Sequence, residues 1–198
     1  EDFPLPMFIA MDPPVHDEQR KTVQGSVAPA NLKLMEETIR GRTQTVLDSL
    51  PVGEQFDWVD RVSVELTTQM LATLFDFPFE DRRKLTRWSD VATGDEESGI
   101  VESEEARQAE LYECLEYFMG LWHERAKKGE GTDLVSMLAH GEATKNMSPQ
   151  EFLGNLILLI VGGNDTTRNS MTGGVWALNQ NPGEYAKLRN NPSVIPNM

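Results

Sequence analysis

The residue types best suited to chemistry fall in one short run, Gly162-Gly163-Asn164-Asp165-Thr166-Thr167. A carboxylate and a hydroxyl stand side by side there, directly after two residues that lack a Cβ and so let another group approach the backbone. An acid beside an alcohol can hand protons on, the arrangement that general acid–base chemistry uses. Thr166 lies four residues after Gly162, so its hydroxyl can turn back to that carbonyl, bend a helix and open its ladder to water. At about 3.6 residues per turn, Leu158, Val161, Gly162, Asp165 and Thr166 share one face: an apolar wall, a gap, then an acid and an alcohol. A second pair stands near the start of the chain, where His16 and Arg20 stack on one helix face with Lys21 beside them. Arg offers a planar fork for carboxylates and His a second donor, which makes an anion clamp. The competing reading of that pair is a solvated polar face on a short surface helix.

The elements that must hold these residues are helical. Ser148-Pro149-Gln150-Glu151 reads as a capping box with Pro at the first helical position, and starts a helix that organises residues 147–181. Residues 152–161 are almost all apolar, so the helix is expected to run through a core. The run falls well short of the ~20 residues of a membrane span, and no span is expected. Each glycine is disfavoured by up to about 1 kcal/mol in a helix interior. One helix ending at the glycines and a second capped by Asn164 or Asp165 is therefore the alternative.

Upstream, residues 3–11 are apolar and broken by Pro, and Asp12-Pro13-Pro14 supplies a cap and a first residue for a helix over 14–27. Periodicity predicts helices over 30–50, 62–75 and 79–92, with a short strand over 55–59. An exposed acidic loop is expected over 94–105, from Asp95-Glu96-Glu97 to Glu104-Glu105. A long amphipathic helix over 106–128 follows, with Tyr112, Leu115, Phe118, Met119 and Trp122 packed on the core. The two helices flanking that loop could form a lid. Short helices are expected over 133–140 and 184–189, with a loop over 141–146.

Composition narrows the class. The chain has 198 residues, enough for one domain with a core, and 39% apolar with 25% charged residues describes a soluble globular protein. A formal net charge of −14 argues against nucleic acid or an anionic membrane as a partner and favours a cytoplasmic location. The one cysteine, Cys114, excludes an internal disulfide and any multi-cysteine metal site, and reads as a packed or partly exposed free thiol. His123 and His140 lack partners at ligand spacing, so no metal ligands are assigned. No internal repeat, phosphate loop or Ser/His/Asp signature is present. The chain opens at Glu1 without an initiator Met and stops at Pro196-Asn197-Met198, and is expected to be a piece of a longer protein.

Two separated motifs fit one family. Asp12-Pro13-Pro14-Val15-His16-Asp17-Glu18-Gln19-Arg20 resembles the third major helix of bacterial cytochromes P-450, whose His and Arg bind haem propionates. Residues 162–167 resemble the family's long distal helix, with its pattern Ala/Gly-Gly-x-Asp/Glu-Thr-Thr/Ser. The resemblance implies a mainly α fold with little β, from that third helix through the distal helix and the short helices after it. It implies a single partial domain over 1–198 that lacks the N-terminal part, the Glu-x-x-Arg helix and the Phe-Gly-x-Gly-x-x-x-Cys loop carrying the haem cysteine. Cys114 stands in the wrong context to replace that cysteine, so the piece itself is expected to be inactive. Pro6-Met7-Phe8-Ile9-Ala10-Met11 and Arg168-Asn169-Ser170-Met171 resemble the bacterial alkane terminal hydroxylases within the family.

The resemblance also implies a chemistry. His16, Arg20, Gly162 and Gly163 would hold haem b, iron protoporphyrin IX. Thr166 and Asp165 would relay protons to oxygen on its distal side, and Leu158, Val161 and Gly162 would line the substrate pocket. The implied reaction uses O2 to hydroxylate an unactivated C–H bond, at the terminal methyl of a medium-chain alkane or fatty acid, or on a terpene or steroid. The implied electron source is NADH through a ferredoxin reductase and a [2Fe-2S] ferredoxin docking near Lys21. A helical module that binds an apolar ligand or partner helix without catalysis uses the same apolar face but gives no reason for Asp165 beside Thr166. A peroxide-using relative would usually replace that acid–alcohol pair.

Overall fold

The capping box forms as its residues dictate. In the computed structural model, which describes residues 5–94 and 96–197, the Ser148 hydroxyl accepts from the Glu151 N–H at 3.3 Å and the Glu151 carboxylate accepts from the Ser148 N–H at 2.8 Å. Helix α7 then runs unbroken from Pro149 to Gln180, 32 residues, straight through both glycines. The two-helix alternative is thereby excluded. Neither glycine takes a positive φ, and the Thr166 hydroxyl donates to the Gly162 carbonyl at 2.9 Å. The helix keeps Gly163 for a packing reason: a Cβ there would lie 2.7 Å from Cδ2 of Leu71. At Gly154 a Cβ would collide with the Pro6 carbonyl.

Among the described residues, seven further α-helices surround this spine: α1 (Val15–Val23), α2 (Pro29–Asp48), α3 (Glu65–Phe75), α4 (Arg83–Thr93), α5 (Glu104–Arg125), α6 (Leu134–His140) and α8 (Pro182–Asn190). The fold is mainly α, with no strand among the described residues. Leu153, Leu156 and Ile160 bury the first half of α7 against α3, α4 and α5. Phe75, Phe77, Trp88, Tyr117 and Phe118 form the aromatic part of that core, with Phe77 stacked on Tyr117 at 4.8 Å. The amino-terminal segment is stitched to α7 by Asn155, whose Oδ1 accepts from the Phe8 N–H at 2.8 Å while Nδ2 donates to Gln19 at 3.1 Å. That joint fixes α1 across the buried half of the spine.

Several expectations change. The strand over 55–59 does not form, because Asp57 captures the local donors: its side chain accepts from the Asp60 N–H and its carbonyl from the Arg61 N–H, at 3.1 and 3.0 Å. A π-helical segment over Val59–Val64 follows and leads into α3, so the helix over 62–75 has a wider first turn. The helix over 14–27 becomes α1 and a 3-10 turn over Gln24–Val27, and Asp12 contributes only its carbonyl, to the His16 N–H. The helix over 79–92 is likewise split, with a 3-10 turn over Phe79–Asp81 before α4. Helix α5 begins inside the expected loop because the Ser103 hydroxyl accepts from the Ala106 N–H. On α5 the fully buried residues are Leu111, Cys114 and Phe118, whereas Tyr112 faces outward. Phe3 of the opening segment, Asp95 of the acidic loop and Met198 lie outside the described residues. No helix among the described residues is long and apolar enough to cross a membrane.

Candidate functional site: an apolar cavity between the first and seventh helices

The double stitch at Asn155 brings the middle of α7 opposite the end of α1. Between them lies a cavity of about 340 Å³, lined by Arg20 and Val23 of α1, Leu71 and Leu74 of α3, and Leu158, Leu159, Gly162 and Gly163 of α7. The two distant sequence signals therefore meet at one hollow. The wall is mostly aliphatic, with Phe8, Gln24 and Ser26 also in it, and among the described residues Arg20 is its only charged one. At Gly162 a Cβ would touch nothing within 4 Å, so the backbone there faces open space.

None of the remaining expected residues, Val161, His16, Asp165 and Thr166, lines the cavity. Val161 is partly buried and packs against the core. His16 sits one turn before Arg20, with Nδ1 2.8 Å from the Asp17 carboxylate and its ring 6.3 Å from that of Phe8. Thr166 is exposed, one turn beyond Gly162. Asp165 turns toward α4. Its Oδ1 accepts from Arg168 at 2.7 Å and from Asn169 at 3.2 Å, and Arg168 also donates to Asp90 of α4 at 2.9 Å.

Charge explains that turn. Burial alone lowers the pKa of the Arg168 guanidinium, but the hydrogen bonds and charges of Asp90 and Asp165 outweigh it and raise the pKa above the ordinary arginine value. Sequence reasoning missed Arg168 and Asp90. The first left a signal, a cation three residues after an acid on a helix. The second left none, since it lies far away in the chain. It also missed Asn164, which is fully buried and accepts from the Thr67 hydroxyl at 2.8 Å.

A haem fits these residues on one face and one edge. The open backbone at Gly162 and the aliphatic wall suit its flat apolar body, and Arg20 suits a carboxylate at the rim. The chain offers no thiolate to its other face. Cys114 is sealed in the core, where burial first and then the Glu113 charge push its thiol far above the ordinary value.

Comparison with known proteins places the chain in a family. No family model matches the chain. Linalool 8-monooxygenase of Pseudomonas putida is 32% identical over 189 residues, which is 95% of this chain and 46% of that protein. A steroid C26-monooxygenase of Mycolicibacterium smegmatis is 32% identical over 185 residues, 93% of this chain and 43% of that protein. Among solved structures, cytochrome P-450-153 from Novosphingobium aromaticivorans is similar with a TM-score of 0.86 and 52% identity, covering 98% of this chain and 46% of that one. CYP153D17 from Sphingomonas sp. PAMC 26605 matches with a TM-score of 0.87 and 53% identity, covering 98% and 48%. The chain spans about half the length of the relatives it matches. Since the likeness runs through the cavity-bearing helices from end to end, the chain belongs to the cytochrome P-450 superfamily and forms the central helical portion of that fold.

Proposed function

We propose that the protein is a haem-dependent monooxygenase acting on a hydrophobic substrate, and more narrowly that it hydroxylates the terminal methyl of a medium-chain alkane or fatty acid. The observation that carries this reading is the convergence of Arg20 with Leu158, Gly162 and Gly163 on one aliphatic cavity. These 198 residues act as one partial domain. Arg20 and His16 would hold the haem propionates, Gly162 would leave its face uncovered, and Gly163 would let α7 sit close on Leu71 beside it. Haem, when bound, would supply the activation of O2. Leu158 forms part of the wall against which an alkyl chain lies, worth about 0.8 kcal/mol per buried CH₂. Val161 belongs to the layer behind that wall. Thr166 holds a proton at its hydroxyl on the open face, and Asp165 takes protons from water and passes them on.

Electrons come from NADH through a ferredoxin reductase and a [2Fe-2S] ferredoxin, with exposed Lys21 beside Arg20 as part of the docking patch. The alkane reading is supported by Pro6-Met7-Phe8-Ile9-Ala10-Met11 and Arg168-Asn169-Ser170-Met171, which resemble the alkane terminal hydroxylases. A second reading, a terpene or steroid substrate, is favoured by the names of the curated relatives, linalool 8- and steroid C26-monooxygenase. The test supplies the full-length, haem-loaded protein with NADH, the reductase and ferredoxin, and medium-chain n-alkanes. Primary alcohols are expected. Their absence, with linalool or a steroid oxidised instead, would overturn the alkane assignment, and no oxidation of any of them would overturn the activity.

A further inference from the structure

We infer that Asn164 is a positioning residue for Thr166: through its hydrogen bond to Thr67 of α3 it fixes the rotation of α7 about its own axis and so sets where the alcohol points. This rests on the reading of Thr166 as the proton-handling alcohol. Apolar contacts hold the first half of α7, where Phe152, Leu153, Leu156, Ile157 and Ile160 are buried. Beyond Ile160, Asn164 is the only buried residue of that helix among the described residues. Apolar burial has no direction, so it resists a small turn of the helix less than a hydrogen bond does.

Two such bonds tie this part of α7 to α3 and to the π-helical segment before it. The Thr67 hydroxyl donates to Asn164 Oδ1 at 2.8 Å, and the Thr172 hydroxyl donates to Ser63 Oγ at 2.9 Å. Gly163 is pressed against Leu71, so α7 comes close upon α3 directly beside Asn164. At about 100° per residue, Thr166 stands roughly 200° around the helix from Asn164. The buried anchor thus turns the alcohol to the opposite side, where it is exposed.

An amide is a costly way to fill this position. Its Nδ2 is buried and meets no partner among the described residues, and a buried donor left alone works against stability. An apolar side chain would avoid that cost, since the Thr67 hydroxyl also lies 3.0 and 3.1 Å from the Ser63 and Val64 carbonyls and would keep both. What Asn164 offers in its place is direction.

The test uses the full-length holoenzyme and reads the ratio of hydroxylated product to NADH consumed together with the Tm. Asn164→Leu and Thr67→Val remove the same bond from its two ends. Each should lower the ratio about threefold at unchanged haem content, as a small misplacement of a reacting group does. Thr67→Ser keeps the hydroxyl and should keep the wild-type ratio. The Tm separates positioning from mere support. It should stay level or rise in Asn164→Leu although the ratio falls, whereas Thr67→Val should lower it in the wild-type background, by stranding Asn164 Oδ1, and not in the Asn164→Leu background. An equal Tm change of Thr67→Val in the two backgrounds, a Tm that falls alongside the ratio in Asn164→Leu, or a wild-type ratio in Thr67→Val would overturn the inference. If Thr166→Ala lowers the ratio while Thr67→Val does not, the positioning role alone falls. If Thr166→Ala keeps the wild-type ratio, the reading of the alcohol falls and the positioning role with it.

Discussion

Gly162 and Gly163 are neighbours that lack a side chain for different reasons. Gly163 lies against Leu71, whereas nothing approaches the position of a Cβ on Gly162. Gly162→Ala should therefore raise the stability of the full-length apoprotein by up to about 1 kcal/mol through helix propensity alone. Gly154→Ala should lower it by about 1–3 kcal/mol, since backbone at Pro6 must shift and cannot swing aside as a side-chain end does. Denaturant midpoints check both, and a loss of stability in Gly162→Ala would show that the open face is already covered. At this scale the sequence revealed the gap and the acid–alcohol pair but not their surroundings. Periodicity placed Asp165 and Thr166 on one face of α7, and it has no means to register a carboxylate 75 residues upstream of Asp165 that shares its partner Arg168.

Among the elements, α7 was legible from both ends: a capping box fixed its start and Asn181-Pro182 its stop, and the structure keeps both. The π-helical entry to α3 was not legible, because its residues repeat the pattern of a buried α-helix and the difference lies in hydrogen-bond register. Polar joints between elements were equally hidden. Asn155 sits in an apolar run, where only its partners reveal its use. Asn155→Ala strips a buried acceptor from the Phe8 N–H and a donor from Gln19, and should cost about 2–4 kcal/mol, read from chemical denaturation. Another joint is sensitive to alkali. Burial, followed by the hydrogen bond to Asp81, pushes the Tyr117 hydroxyl on α5 up to about 12. The folded state thus prefers the neutral phenol, and the stability this gives is complete below the unfolded value near 10 and lost as pH rises to about 12. Tyr117→Phe should flatten the fall of stability over that alkaline window, and an unaltered slope would contradict the assignment.

At the scale of the whole molecule, the fold class followed from helical periodicity and two motifs, and the solved relatives bear it out across 98% of the chain. What periodicity could not supply was the meeting of those motifs, 142 residues apart from Arg20 to Gly162, at one cavity. That meeting depends on the Asn155 joint and on the tight pass of the Pro6 segment over Gly154, both of which need three dimensions to be seen. We propose that α7 presents a proton-handling alcohol over a haem held by α1. The decisive experiment is the ratio of hydroxylated product formed to NADH consumed by the full-length Thr166→Ala protein. That ratio should fall about tenfold or more below wild type at unchanged haem content, with the missing electrons recovered as hydrogen peroxide. A ratio equal to wild type would contradict it.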